Sequence, residues 1–230
     1  MEQGAVADRW HGAVAIVLSF GSGATDAFAF LNLGGIFTAM MTGNLVIASL
    51  TQRPNYPETV LGASVSIASF ALSVYLCLRV ARKGAGRERL VIVLAAAFLA
   101  QAGVLAGWAL SPSRPLMLMV MLISLSAAAM GAQTAVARRI ESRSGVTTTY
   151  VTGTITAFMA AFADRTKGDN VVRAAVIPAL VLGALSGSML MRIDPTFGAA
   201  LPLLPSAIGL VLIAIAPAPA ATLQPAAPSA

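Results

Sequence analysis

From His11 to Leu50 the chain runs for forty residues with one charged side chain, Asp26. Roughly 20 apolar residues cross a bilayer as a helix. Forty are too many for one span and too few for two full spans with a loop. The sequence therefore predicts a first helix over 11–33, a break at Leu33-Gly34-Gly35, and a short helix over 38–50. Within this stretch the Gly-Gly pair and the run Thr42-Gly43-Asn44 let a helix stop and line a cavity at membrane depth, where irregular backbone is otherwise excluded.

The composition agrees with a membrane location throughout. The 230 residues are 57% hydrophobic and 10% charged, with mean hydropathy +0.82, whereas a soluble domain carries about a quarter charged residues. Further spans are predicted over 60–78, 90–110, 115–137, 174–191 and 198–216, with a second short, threonine-rich helix over 146–163. The fold class is all-α: a polytopic helical membrane protein with six full spans and two short broken or re-entrant helices. The N-terminus lacks the basic region and cleavage site of a removable signal peptide, so the first span is expected to be permanent. The Pro/Ala-rich tail over 218–230 is expected to be disordered.

The sequence repeats itself. Gly35-Ile36-Phe37-Thr38 … Thr42-Gly43-Asn44-Leu45 aligns with Gly145-Val146-Thr147-Thr148 … Thr152-Gly153-Thr154-Ile155, and upstream Gly23 and Ala27 align with Gly131 and Ala135. Each match is followed by one short helix and two clear spans. This divides the chain into a first membrane repeat, 1–112, and a second, 113–217. Charge sets their relative orientation. If both short helices cross, the fifteen Lys and Arg divide nine to six. If neither crosses, twelve lie on one side and only Arg53, Arg114 and Arg192 on the other. The second split fits the rule that basic residues stay in the cytoplasm. It implies cytoplasmic termini and inverted repeats, an architecture used by many secondary transporters. The net charge of +6 is explained by topology, so no nucleic-acid partner is inferred.

The first-half signature (G-x-x-D-A … GIFTAMMTGNLV) and the second-half GAQTA … VTTTYVTGT resemble the YoaK-like family of bacterial membrane proteins, a domain-of-unknown-function family. The resemblance covers nearly the whole chain. It implies an integral protein of the bacterial inner membrane and brings no substrate or catalytic residue with it.

Among the residues themselves Asp26 stands out, because an ionisable group within a span is expensive to insert and is a functional candidate by default. It reads either as a proton- or cation-binding carboxylate or as a structural acceptor for backbone N–H groups at the helix break. Thr42, Gly43 and Asn44, with Thr152, Gly153 and Thr154, read either as ligand contacts near the midplane or as self-satisfying helix breaks. Gln101 and Gln133 read as polar lining or as interhelical hydrogen bonds. Gly103/Gly107 and Gly183/Gly187 are GxxxG pairs that favour helix packing.

One cysteine (Cys77) and one histidine (His11) exclude a disulfide and a Cys- or His-cluster metal site. No nucleotide loop and no nucleophile–base pair is present, so neither a cofactor nor an enzyme activity is expected. The leading expectation is a small secondary transporter or permease for a small polar or ionic solute, coupled through Asp26, in the lipid bilayer and as a homo-oligomer. The alternatives are a channel on the same repeat or a non-transporting membrane scaffold.

Overall fold

The computed structural model describes residues 2–82, 86–144, 151–163 and 170–216. The second-repeat segment 145–150, most of the polar loop after 163, and the tail lie outside these residues. The described chain is all-helical: α1 (Glu2–Asn32), α2 (Met41–Ala48), α3 (Tyr56–Val80), α4 (Arg87–Leu110), α5 (Leu116–Ser144), α6 (Val151–Ala163), α7 (Asn170–Met191), α8 (Pro195–Ala200) and α9 (Leu203–Ile215). Six helical segments are long and apolar enough to cross a membrane, α8 and α9 together forming the sixth. This is a multi-pass membrane protein.

Local chemistry sets the ends of these elements. Gly34 and Gly35 hold φ angles of +88° and +70°, a left-handed backbone that glycine adopts without a Cβ clash, and α1 stops directly before them. Pro202 interrupts the last span between α8 and α9. Asp194 caps α8, accepting the Thr196 N–H at 2.7 Å. The bonds from Thr196, with the Arg114 guanidinium adding to them, hold this exposed carboxyl below the usual aspartate range. Arg114 also lies 3.4 Å from the Trp108 ring centroid, and Trp108 meets Phe28 edge-on, closing this end of the bundle.

Helix directions follow from which residues face each other. In α1 and α7, Gly12 lies against Val172, Gly183 against Phe20, and Asn32 against Met191, so the two run parallel. In α3 and α5, Gly62 lies against Ile123, Gly131 against Phe70, and Arg139 against Leu78, so these also run parallel. Gly107 against Leu122 and Gly103 against Leu125 make α4 antiparallel to α5. Gly21 against Pro205 and Gly209 against Leu18 make α9 antiparallel to α1.

Two consequences follow. The connection from α1 to α3, which holds α2, starts and ends at one end of the bundle. The connection from α5 to α7, which holds α6, starts and ends at the other. Neither short helix adds a crossing, and α9 finishes at the end where α1 begins. At 1.5 Å per residue α2 is about 12 Å long and α6 about 20 Å, both short of the roughly 30 Å hydrocarbon layer. Arg9, Arg79, Arg82, Arg87, Arg138 and Arg139 gather at the end where α1 begins, while Arg53, Arg114 and Arg192 mark the opposite end.

The two parallel pairs are the closest contacts. A Cβ at Gly23 would overlap the Leu180 carbonyl, and one at Gly183 would overlap the Phe20 carbonyl, so α1 and α7 touch backbone to backbone. At Gly131 a Cβ would come within 2.7 Å of the Phe70 carbonyl oxygen. Both sequence GxxxG pairs pack: Gly183 and Gly187 on α1, and Gly103 and Gly107 on α5. Small residues carry membrane helix association because they let backbones approach. Gly23→Leu or Gly183→Leu is therefore expected to forfeit the α1–α7 interface and lower the melting temperature of the detergent-purified protein sharply. Gly103→Ala, whose Cβ would sit 3.5 Å from Leu125, is expected to leave that melting temperature nearly unchanged.

Candidate functional site

The segment after α1 turns back into the bundle. Asp26 lies six residues before the end of α1, about 9 Å along the axis. The chain at Thr38 and Ala39 has descended to that level. Ala39 packs with Phe70, Ala127 and Met130. Phe70 is fourteen residues into α3, or about 21 Å from its start, so the tip of the segment reaches the middle of the membrane. From there α2 rises towards the face it came from, packed on α3. This is a re-entrant element. Its helix begins at Met41 rather than Thr38, as expected from sequence, and ends at Ala48.

Two side chains pin it. Asp26 is buried, and its Oδ1 accepts the Thr38 N–H at 2.7 Å, the Ala39 N–H at 2.9 Å and the Thr38 hydroxyl at 3.3 Å. The Ser126 hydroxyl on α5 donates in turn to Thr38 Oγ1 at 3.3 Å. Without these acceptors two backbone N–H groups would be stranded in hydrocarbon, a cost of several kcal/mol each. Asn44, fully buried, serves the peptide groups of Phe37. Its Oδ1 accepts the Phe37 N–H at 2.8 Å, and its Nδ2 donates to the Phe37 carbonyl at 2.6 Å and to Ser66 Oγ at 3.2 Å. Ser66 Oγ donates to the same carbonyl at 2.7 Å. An amide presents an acceptor and a donor side by side without needing to take up a proton, which suits an asparagine to this position.

The other expected site residues divide. Gly43 fits under the Phe37 ring, where a Cβ would meet ring carbon Cδ2 at 3.0 Å. Thr42 is exposed. Gln133 donates to Ser206 on α9 at 2.9 Å, and Gln101 donates to Thr25, beside Asp26, at 3.0 Å. On α6, Thr154 is buried and Gly153 exposed, while the Thr152 side chain lies outside the described residues. α6 packs on α7 and α2 on α3. A midplane meeting of Thr-Gly-Asn with Thr-Gly-Thr is thus not among the contacts described.

The pinned segment separates two spaces. On the Arg53 side lies a cavity of about 610 Å³, lined among others by Arg53, Asn55, Glu58, Thr59 and Ile36. On the Arg9 side lies a polar cavity of about 20 Å³ between Ser19, Ser22, Gln133, Thr134 and Ala39, room for about one water. A third space, an apolar cleft of about 420 Å³, runs between α1, α7 and the segment. Asp26 lines it together with the stacked rings of Phe30 and Phe37. Two buried acceptors lie at this level without a partner among the described residues, Asp26 Oδ2 and Gln101 Oε1. Those residues contain no group of three or more His, Cys, Asp or Glu able to hold a metal ion.

Comparison with known proteins gives the family. A family model described as "Protein of unknown function (DUF1275)" matches residues 14–216. The chain belongs to that family. It is also 27% identical to the UPF0700 transmembrane protein YoaK of Bacillus subtilis (strain 168), over 179 residues covering 74% of this chain and 79% of that one. No solved structure matches it.

Sequence marked Ser66 only as one of a small and polar stripe with Gly62, Ser69 and Ser73, Thr38 only as a repeat position and Arg53 only as a charge of the outer side, and it did not mark Ser126 or Glu58 at all. Thr38, Ser66 and Ser126 each lie more than ten residues from the partner that gives them meaning. Only the position of Thr38, twelve residues after Asp26, offered a local hint.

Because an amide oxygen can still accept both N–H groups, Asp26→Asn should fold, whereas Asp26→Ala should lose stability, since each buried N–H left without an acceptor costs about one to three kcal/mol. Asn44→Asp, which sets an acceptor against the Phe37 carbonyl, should be at least as damaging. Thermal unfolding of the three purified variants, followed by tryptophan fluorescence, checks the order.

Proposed function

We propose that this protein is a secondary transporter or permease of the bacterial inner membrane, moving a small polar or ionic solute and coupled through Asp26. One observation carries the reading. A re-entrant segment, pinned at mid-membrane by a buried carboxylate, stands between a wide cavity at one end and a small polar cavity towards the other. In that arrangement Asp26 Oδ1 holds the closed segment, and Oδ2 is the free acceptor for a proton or cation. Neutralising Asp26 weakens its grip on the Thr38 and Ala39 N–H groups, which links ion binding to release of the segment. Gln101 Oε1 offers a second free acceptor at the same depth.

The directions of the helices support an inverted repeat as the scaffold for alternating access. α1, α3 and α4 run opposite to α5, α7 and α9, their counterparts in chain order. The close pair α1–α7 in one half-to-half contact corresponds to α5–α3 in the other, with Gly23 and Gly131 at matching positions. The positive-inside rule puts the arginine-rich end, with both termini, in the cytoplasm, so the 610 Å³ cavity opens outward. Asp26 then has Thr134 as its repeat partner, and the ion chemistry is asymmetric. The protein acts without catalysis, and a homo-oligomer, most simply a dimer, is its expected state.

The three hydrogen bonds on Oδ1 favour a second reading, in which Asp26 is purely structural and the protein is a non-transporting scaffold. Proteoliposomes holding a pH-sensitive dye and challenged with amino acids, sugars and small organic ions separate the readings. The transporter predicts saturable proton-linked flux that Asp26→Asn abolishes while the protein remains folded. Unaltered flux in Asp26→Asn removes the carboxylate from the mechanism. Unsaturable flux without counterflow identifies a channel.

A further inference from the structure

The arginine-rich end carries a second feature, remote from Asp26. The last two turns of α3 expose Leu72, Tyr75, Leu76 and Arg79 on one face, at positions i, i+3, i+4 and i+7. The first three have more than half of their surface exposed. The stripe leads into an open depression of about 550 Å³ lined by Tyr75, Leu78, Arg79, Arg82 and Arg139. No carboxylate is among these lining residues.

The guanidinium groups are set in place by the backbone around them. Arg139, from α5, donates from Nη2 to the Leu78 carbonyl at 2.9 Å. Arg82 Nε donates to the Arg79 carbonyl at 3.3 Å. Arg79 lies 5.9 Å from the centroid of the Tyr75 ring, within cation–π range. Three arginines, one on α3, one just past its end and one on α5, thus converge where α3 ends.

We propose that this depression binds the phosphate of an anionic phospholipid, whose acyl chains lie along Leu72 and Leu76. The chemistry selects both parts of that ligand. Guanidinium forks match phosphate oxygens in bidentate pairs, and basic pockets between spans at the cytoplasmic face are suited to anionic headgroups. The apolar stripe running directly into the basic pocket favours a ligand with a hydrocarbon tail over a soluble anion. The Tyr75 hydroxyl, at the boundary, can donate to the phosphate or glycerol oxygens. The site does not depend on transport, because it shares no residue with the re-entrant segment.

The test uses the full chain purified in a zwitterionic detergent and titrated with fluorescent phosphatidylglycerol, with fluorescent phosphatidylcholine as the comparison. Phosphatidylglycerol should bind in preference, and Arg79→Gln/Arg82→Gln should weaken it by about tenfold, in line with the loss of charge-assisted bidentate bonds. Both side chains are exposed, so the variant should melt as the parent does. Equal binding of the two lipids overturns the proposal without any variant, and so does unchanged phosphatidylglycerol binding in Arg79→Gln/Arg82→Gln. Inorganic phosphate is the third arm. If it displaces the labelled lipid at comparable concentration, the pocket takes a free anion and the lipid assignment fails. Lipid binding that resists phosphate supports it.

Discussion

One carboxylate oxygen accepting two backbone N–H groups makes the rest of this arrangement affordable. A non-helical segment cannot lie at the middle of a membrane with its peptide groups unpaired. Asp26 Oδ1 takes the N–H groups of Thr38 and Ala39, and Asn44 with Ser66 takes both polar groups of Phe37. With those groups satisfied, the chain can leave α1 at two left-handed glycines, descend to the midplane and return as α2. The two cavities and the apolar cleft exist because that segment occupies the space between α1, α3, α5 and α7.

The surrounding frame depends on a different constraint. Lipid gives no hydrophobic drive for one span to prefer another, so contact must come from shape. Here it comes from glycines that bring α1 against α7 and α3 against α5 until the glycine backbone meets a carbonyl of the facing helix. These are the two parallel pairs, and they place the re-entrant segment between them. Within that frame a single side chain, Asp26, holds the tip of the segment.

Much of this was legible from the sequence because its determinants are local. Length and hydropathy gave all six spans within a few residues, and the Gly34-Gly35 break falls where it was expected. The GxxxG pairs pack as their spacing implied. Asp26 and the run Thr42-Gly43-Asn44 were marked as candidates at the break, and of that run Asn44 bonds the segment while Thr42 is exposed. What sequence could not supply was which atom answers which. That Asn44 reaches Phe37 and that Ser126 supports Thr38 depend on helix rotation and register across the bundle. The start of α2 was set three residues early for the same reason: Thr38 and Ala39 have helical propensity enough, but their N–H groups are turned to Asp26. The vestibule residues Arg53 and Glu58 looked like ordinary loop charges. For the second short helix, residues 145–150 lie outside the description, and α6 is placed by its packing on α7.

The most direct measurement of the central claim is backbone amide exchange across residues 36–41, by mass spectrometry in a lipid nanodisc. If Asp26 holds the segment, the Thr38 and Ala39 amides should exchange slowly in the parent protein, faster in Asp26→Asn, whose neutral amide oxygen is the weaker acceptor, and faster still in Asp26→Ala. Slow exchange in Asp26→Ala, or fast exchange in the parent, would mean that the carboxylate does not pin the segment, and the link between ion and solute built on it would fall.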